Sequence, residues 1–273
     1  MARTLGVLAI VAGLAGCVTT LRPLAATTAN QQAWTVPIES IEFGREVLFG
    51  REGASLWGNR GSSASGNLER QPEDSATALH IHSAETFGMV ITGHMTHQVE
   101  GKESAPEIGP GAFYIVPANA PHVSTCLPGT PCLVVFWESG PLTSKEVKPK
   151  ASGGDFEAAA AQSLDALQFT TATSTVLAHA RLWGEPTRPN SATAEKQPAN
   201  SMSHTRSSTG DTHGVIILGT ATITVKGDKE SPPLAPGSYY EVPANRAFFS
   251  TCKDGPDCVF LQFHPDPYEL NEG

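Results

Sequence analysis

Short apolar runs, broken by Gly, Pro, Asn and Ser, recur along most of the chain. Runs of this length, bounded by turn-forming residues, are typical of β-strands rather than helices. Several strands at this spacing favour an all-β sandwich or barrel. Clear examples are residues 88–91, 113–116, 133–137, 215–218 and 259–263.

One segment has the opposite character and predicts a short helix. Residues 156–169 include Glu-Ala-Ala-Ala-Ala-Gln-Ser-Leu-Asp-Ala-Leu. Alanine, leucine and glutamine are strong helix formers, so we expect this helix near the start of the second half of the chain.

The chain contains an internal repeat with a constant offset of 126 residues. Between residues 111–126 and 237–252, nine of sixteen positions are identical. A constant offset over so long a span predicts duplication of one folding unit. The matching positions include Trp57 and Trp183, Gly93 and Gly219, Asn119 and Asn245, and Cys126 and Cys252.

The repeat and the composition together predict a domain plan. We expect a signal peptide at residues 1–16, a flexible tether at 17–35, a first barrel at 36–140, a linker at 141–155 and a second barrel at 156–273. Residues 139–155 are rich in Gly, Pro, Lys and Ser, which is typical of a linker. Trp57 and Trp183, at equivalent positions, are expected to share a packing role.

The overall charge excludes one class of partner. The net charge is −9, and no basic stripe of the kind that binds phosphate backbones is present, so we expect no nucleic-acid partner. No run of 18 apolar residues occurs beyond the N-terminus, so nothing else in the sequence predicts a membrane span.

The N-terminus predicts export. An apolar run follows Arg3 and ends in Leu-Ala-Gly before Cys17, which resembles the lipobox of bacterial lipoproteins. That resemblance implies cleavage before Cys17, acylation of its thiol and a membrane tether in the cell envelope. Val18 follows instead of Asp, which favours the outer membrane or the periplasmic side. The alternative is an ordinary cleaved signal with an incidental cysteine.

The other four cysteines form two closely spaced pairs. Cys126 and Cys132, like Cys252 and Cys258, are separated by five turn-forming residues. An exported protein meets an oxidising compartment, so we predict the disulfides Cys126–Cys132 and Cys252–Cys258. A thiolate metal site is the alternative, although such sites favour closer cysteine spacing.

Three histidines are candidates for a metal site. His80 and His82 lie two apart in a predicted strand and therefore face the same side. His122, on a return strand, is expected to place a third imidazole beside them. Three converging neutral imidazoles are a ligand set for transition metals.

The same residues resemble the cupin family. Residues 80–93, from His-Ile-His to a glycine, are similar to the first cupin motif. Residues 111–122 match the second motif, with Asn119 in place of a glycine. The usual glutamate position holds Thr86, and the acid lies one place earlier, at Glu85. Because neighbouring residues of a strand face opposite ways, Glu85 as a fourth ligand requires a bulge.

The resemblance implies two tandem cupin barrels of the double-stranded β-helix, or jelly-roll, type. More narrowly, the chain is similar to bacterial bicupins related to the metal-binding cupin of an anti-sigma factor, a family without a settled activity. The positions equivalent to the three histidines in the second repeat hold Arg206, Ser208 and Phe248. We therefore predict one metal-binding barrel and one barrel without a metal site.

Two functions follow as hypotheses. The first is an exported, lipid-anchored protein that binds one divalent metal (Fe, Mn, Ni, Cu or Zn) or a small ligand, as a monomer or homodimer. The second is a metal-dependent, dioxygenase-like enzyme acting on a small organic substrate, with His97 or Glu85 as a proton-transfer residue. A surface or interface position is the default for His97, and an exposed loop for His204 and His213. The sequence leaves open whether catalysis occurs.

Overall fold

The computed structural model describes residues 34–45, 50–149, 156–171 and 176–272, which are almost entirely β-strands and connecting loops. The strands up to residue 146 are β1 (Trp34–Val36), β2 (Gly44–Arg45), β3 (Glu52–Gly58), β4 (Ser65–Gln71), β5 (Ser75–Ala76), β6 (His80–His82), β7 (Thr86–Thr92), β8 (Met95–Val99), β9 (Phe113–Val116), β10 (His122–Cys126), β11 (Cys132–Glu138) and β12 (Ser144–Glu146). The remaining strands are β13 (Ala160–Gln162), β14 (Thr170–Thr171), β15 (Ala178–Trp183), β16 (Ser191–Gln197), β17 (Ser201–Met202), β18 (Arg206–Ser208), β19 (Thr212–Leu218), β20 (Ala221–Val225), β21 (Tyr239–Val242), β22 (Phe248–Cys252), β23 (Cys258–His264) and β24 (Leu270–Glu272). Two short 3-10 helices occupy Ile38–Ser40 and Leu164–Ala166.

Each repeat forms a barrel from two antiparallel sheets. In the first barrel a seven-stranded sheet, ordered β13-β9-β7-β11-β4-β3-β2, faces a five-stranded sheet, ordered β12-β6-β10-β5, with β8 also paired to β10. The second barrel has the same plan, with the seven-stranded order β1-β21-β19-β23-β16-β15-β14. The predicted all-β fold of two tandem jelly-roll barrels is therefore confirmed.

The two barrels exchange edge strands. β1, from the N-terminal part of the chain, pairs with β21 of the second barrel. β13, from the start of the second repeat, pairs with β9 of the first barrel. β1 falls at the end of the expected tether and β13 within the expected second barrel, so each strand completes the edge of a barrel other than the nearest one in sequence, while the expected domain bounds stay a prediction.

The helix predicted at residues 156–169 is wrong. The segment contains strand β13 and only a single 3-10 turn, Leu164–Ala166. Helix propensities differ by less than about 1 kcal/mol per residue, whereas β13 gains a hydrogen-bonded partner along β9. The tertiary pairing therefore decides the conformation of this alanine-rich stretch.

Both predicted disulfides are present, and each closes the short loop between two consecutive strands that belong to different sheets, so the expectation that they close hairpins is wrong. Cys126 is bonded to Cys132, and Cys252 to Cys258. The turn asparagines also behave as their repeat positions predict, since Asn119 and Asn245 have φ values of 58° and 62°. Asparagine is one of the few residues that tolerates this region without glycine.

The seven-stranded sheets of the two barrels pack against each other through one apolar core that contains residues of both repeats. The equivalent tryptophans, Trp57 and Trp183, each contact an aromatic ring of the other barrel. Trp183 lies on Phe87 of the first barrel, with ring centroids 4.2 Å apart. Trp57 stacks on His213 of the second barrel, with centroids 5.3 Å apart and planes 5° apart. The shared packing role expected for the two tryptophans is confirmed.

Candidate metal centre

Pairing between two strands brings the three histidines of the first barrel together. His80 and His82 lie on one face of β6, and His122 opens β10 directly opposite His80. The ring centroids are 4.1 Å apart for His80 and His122, and 5.0 Å apart for His82 and either partner. The side chains are buried, with 0%, 6% and 1% exposure in sequence order. Their potential ligand atoms all lie within 4.8 Å of one another.

Hydrogen bonds fix how these rings present their nitrogens. The Nδ1 atom of His80 lies 2.8 Å from the carbonyl oxygen of Ala78, and that of His122 lies 2.9 Å from the carbonyl oxygen of Ala120. A carbonyl only accepts, so Nδ1 carries the proton and Nε2 keeps its lone pair. The Nδ1 atom of His82 lies 2.7 Å from the hydroxyl of Thr86. Metal-binding histidines typically anchor their second nitrogen in this way.

Burial keeps the three imidazoles neutral. Loss of solvation, assisted by the neighbouring His122, lowers the pKa of His80 to about 3. Burial lowers the pKa of His122 to about 4 and holds that of His82 well below its ordinary value. Neutral rings are the form that binds a cation, because a protonated nitrogen has no lone pair.

The donor set fits a transition metal. The Nε2 atom of His82 is buried and has no hydrogen-bond partner within the described part of the chain. A buried nitrogen left in this state is costly unless it binds something. Imidazole is a suitable ligand for Fe, Mn, Ni, Cu and Zn, so the three histidines do not identify which of these metals binds.

Glu85 does not join this cluster, so its expected role as a fourth ligand is not supported by the geometry. The ligand atoms that come together are those of His80, His82 and His122, and it is Thr86, the next residue, that contacts His82. Partial burial and the nearby Glu157 raise the pKa of the Glu85 carboxyl, which places it in a different environment.

His97 lies inside the barrel, which corrects the expectation of a surface or interface position. Its side chain is 3% exposed and stacks on Tyr114, with ring centroids 4.2 Å apart. Its Nδ1 atom is 3.0 Å from the hydroxyl of Ser124, and its Nε2 atom has no hydrogen-bond partner among the described residues. Gly88 makes room for this stack, since a Cβ there would lie 2.3 Å from a Tyr114 ring atom.

The three histidines and His97 surround a space inside the first barrel, the chamber, and two further charged residues that line this chamber were not predicted. Arg51, just before β3, forms a buried ion pair with Glu69 of β4. A small cavity of about 20 Å³ is lined by both of them together with the three histidines and His97. A second cavity of the same size adjoins it and shares Arg51, Glu69 and His97. Glu69 recurs as Glu195 in the repeat, and that recurrence is the signal that could have identified it.

In the second barrel a salt bridge lies near the place equivalent to the three histidines. Arg206, at the position of His80, donates to Glu195 with 2.8 Å between Nη2 and Oε2. Its guanidinium also lies 4.4 Å above the ring of Phe248, the counterpart of His122. Leu177, 1% exposed, occupies the position equivalent to Arg51.

Two histidines of the second repeat, His204 and His213, were expected in exposed loops, and only one of them is found there. His204 is exposed, as expected. His213 is not in an exposed loop, because β19 places it in the contact between barrels, where it stacks on Trp57. Its Nδ1 atom lies 2.7 Å from the hydroxyl of Tyr239.

The predicted lipidation site, Cys17, lies outside the described residues, as do the signal peptide and most of the tether. Among the described residues no helix combines the length and the apolar character needed to cross a membrane.

Comparisons with known proteins agree with the fold and leave the activity open. The model of a family described as a domain of unknown function, DUF4437, matches residues 50–261. No curated protein matches the chain. Among solved structures, a mutant of Bacillus subtilis oxalate decarboxylase is 12% identical with a TM-score of 0.61, covering 91% of this chain and 80% of that one.

Two other solved structures are similar to the same extent. Momordica charantia 7S globulin is 10% identical, with a TM-score of 0.62, covering 89% of this chain and 87% of that one. Salicylate 1,2-dioxygenase from Pseudoaminobacter salicylatoxidans, with gentisate, is 12% identical, with a TM-score of 0.62 and coverage of 88% and 85%. At these identities the likeness establishes the two-barrel cupin fold alone.

Proposed function

The chain belongs to the DUF4437 family, and we propose that it is a metal-binding bicupin whose first barrel holds one divalent transition metal. His80, His82 and His122 are the proposed ligands, each through Nε2. The observation that carries this proposal is that the Nδ1 atoms of all three rings contact oxygen atoms, which assigns Nε2 as the ligand atom, while the ligand atoms of the group lie within 4.8 Å of one another. A small ligand takes the coordination positions that three imidazoles leave open.

The barrel supplies the surroundings of such a centre. The metal, when bound, supplies a Lewis acid. Thr86 and the carbonyls of Ala78 and Ala120 hold the imidazole rings in place, and Arg51 and Glu69 form a neutral pair beside them. Phe136 and Val116 contribute apolar surface to the chamber, which limits the water inside.

We assign the second barrel a structural role. Its charge pair, Arg206 and Glu195, is 1% exposed on both sides and lies where the first barrel has its metal ligands. The barrel also carries β1 and contributes half of the core between the repeats. This assignment explains why the repeat kept its turns and disulfide but not its imidazoles.

The proposed location is the cell envelope, with acyl chains on Cys17 as the anchor. The lipobox-like sequence before Cys17 supports the anchor, and the two disulfides support an oxidising compartment. Mass spectrometry of protein from the native envelope tests this, since an acylated Cys17 as the first residue is expected. A mature chain that begins elsewhere, without lipid, would contradict the anchor. We expect a monomer or homodimer and no nucleic-acid partner.

Metal content tests the site itself. Wild-type protein, dialysed and measured by inductively coupled plasma mass spectrometry, is expected to retain one transition-metal ion per chain. His82→Ala removes one ligand nitrogen and should abolish stoichiometric binding. Ser208→Ala changes the equivalent position of the second barrel and serves as the matched control, with metal content unchanged. Full metal retention in His82→Ala would rule the site out.

A second candidate function is metal-dependent catalysis of the dioxygenase type, with His97 as the proton-transfer residue. The buried, unpartnered Nε2 of His97 in the same chamber is the observation that favours it. The cavity of about 20 Å³ holds only one or two water-sized groups, so the substrate would be very small. Oxygen uptake by metal-loaded protein over a panel of small organic acids tests this. No uptake with any of them, while metal is bound, would favour the binding role.

A further inference from the structure

The charges around the three histidines cancel before any metal is bound. The two arginines whose charge reaches the histidines are Arg51 and Arg60. Arg51 is paired with Glu69, and Arg60 lies 3.5 Å from a carboxylate oxygen of the buried Glu138. The imidazoles themselves are neutral. A divalent cation in this chamber therefore adds two positive charges that the described residues nearby do not balance.

A buried charge without compensation is strongly unfavourable, so the chamber requires a negative partner for the metal. In many metal centres a carboxylate ligand supplies part of this charge. Glu85 is not among the described residues whose ligand atoms come together here. The compensating charge must then come from outside the protein, carried by the ligand.

The second observation concerns His97. Its ring is 3% exposed, is fixed by Ser124 and Tyr114, and lines the same cavity as the three histidines. When the hydroxyl of Ser124 donates to Nδ1, the proton of the neutral ring is on Nε2, which has no partner among the described residues. In that tautomer the chamber presents one buried N–H donor that matches an anionic oxygen or nitrogen.

Size restricts the ligand further. The two adjoining cavities measure about 20 Å³ each, and a water molecule needs roughly 10–15 Å³. Together they have room for about three or four water-sized groups, and the metal takes one of these places, which leaves room for a ligand of about two or three heavy atoms. Aromatic acids are too large for the chamber as it stands.

From these observations, and resting on the proposed metal site, we infer that the first barrel binds a small monovalent anion of about two or three heavy atoms between the metal and the Nε2–H of His97. The anion neutralises part of the metal charge and accepts the hydrogen bond. His97 is therefore a ligand-positioning residue and not a fourth metal ligand.

Spectroscopy of cobalt-loaded protein tests this with formate and azide as probes. Co²⁺ bound by the three histidines gives visible bands that shift when an anion enters its coordination sphere. We expect saturable shifts with both probes in the wild type, and calorimetry should show no formate binding to metal-free protein. His97→Ile introduces the residue found at the equivalent position of the second barrel, Ile223, where it is buried. This variant should keep one Co²⁺ per chain and bind formate ~10-fold or more weakly, as expected for loss of a hydrogen bond to a charged group.

Two further variants separate the possible causes. His97→Gln retains an N–H donor and should recover part of the affinity, whereas a purely structural effect would follow side-chain shape instead. His204→Ala, on the exposed surface of the second barrel, should change nothing. Absence of stoichiometric Co²⁺ in the wild type would refute the proposed metal site. Stoichiometric Co²⁺ without spectral change, or equal formate affinity in His97→Ile, would refute the anion site alone.

Discussion

Protonation of His213 should destabilise the contact between the barrels, and replacing this residue with phenylalanine should remove that sensitivity to acid. The first barrel already has Phe87 at the equivalent position, against Trp183, so the phenylalanine ring has a precedent in the same packing arrangement. His213 stacks on Trp57 and has only 12% of its side chain exposed. Burial lowers its pKa from 6.5 to about 4.

The sign follows from proton binding. Between pH 6.5 and about 4 the unfolded chain is protonated at this histidine while the folded chain is not. Stability from the neutral ring is therefore complete above pH 6.5 and is lost as the pH falls toward 4. Moving from pH 7.5 to pH 4.5 costs the wild type about 2 to 3 kcal/mol through this residue.

Urea unfolding at the two pH values, followed by tryptophan fluorescence, measures the effect. His213→Phe should lose about 2 to 3 kcal/mol less than the wild type on acidification, while the other buried histidines contribute equally to both proteins. At pH 7.5 the variant should lose only about 1 kcal/mol, because the hydrogen bond to the Tyr239 hydroxyl disappears. An identical loss on acidification in both proteins would refute the argument that His213 is buried neutral.

Two other perturbations probe the barrels separately. Arg206→Met leaves the buried carboxylate of Glu195 without its arginine and should destabilise the second barrel by about 3 kcal/mol in urea unfolding, with metal content unchanged. Adding Glu195→Gln should recover most of that loss, and no recovery would contradict the charge argument. Replacing both Cys126 and Cys132 with serine should cost about 2 kcal/mol, because the disulfide closes only a short loop. An unchanged melting temperature in calorimetry would show that this crosslink does not contribute.

Much of the fold could be predicted because features that occur at equivalent positions of both repeats are expected to have the same structural role. The 126-residue offset located the turns, both disulfides and the equivalent tryptophans, since these are local features that survive in both copies. The exchange of β1 and β13 could not be predicted in this way. The pairing of a short edge strand depends on contacts with residues that are distant in sequence. Neither β1 nor β13 has a residue pattern that indicates which strand it pairs with.

The candidate site, like the fold, could be predicted only in part from the sequence. His80, His82 and His122 follow from strand alternation and motif spacing, which fix where side chains point. Arg51 and His97 do not, because their roles depend on which side of the barrel wall they face. Glu85 as a fourth ligand stays a prediction, because it lies just before β7 and outside the group of clustered imidazoles.

One constraint accounts for the difference between the barrels. Both keep a buried glutamate at the same position, Glu69 and Glu195, and a buried carboxylate needs a cationic partner. The first barrel supplies that partner from Arg51, which leaves position 80 for an imidazole. The second barrel supplies it from Arg206, the equivalent of position 80. The guanidinium then takes a place that a metal ligand would need, and the position equivalent to Arg51 is filled by a leucine. On the proposed assignment, the source of the glutamate's arginine partner separates the barrel that has three clustered imidazoles from the barrel that does not, and changing one residue alone would not create the three-histidine group in the second barrel.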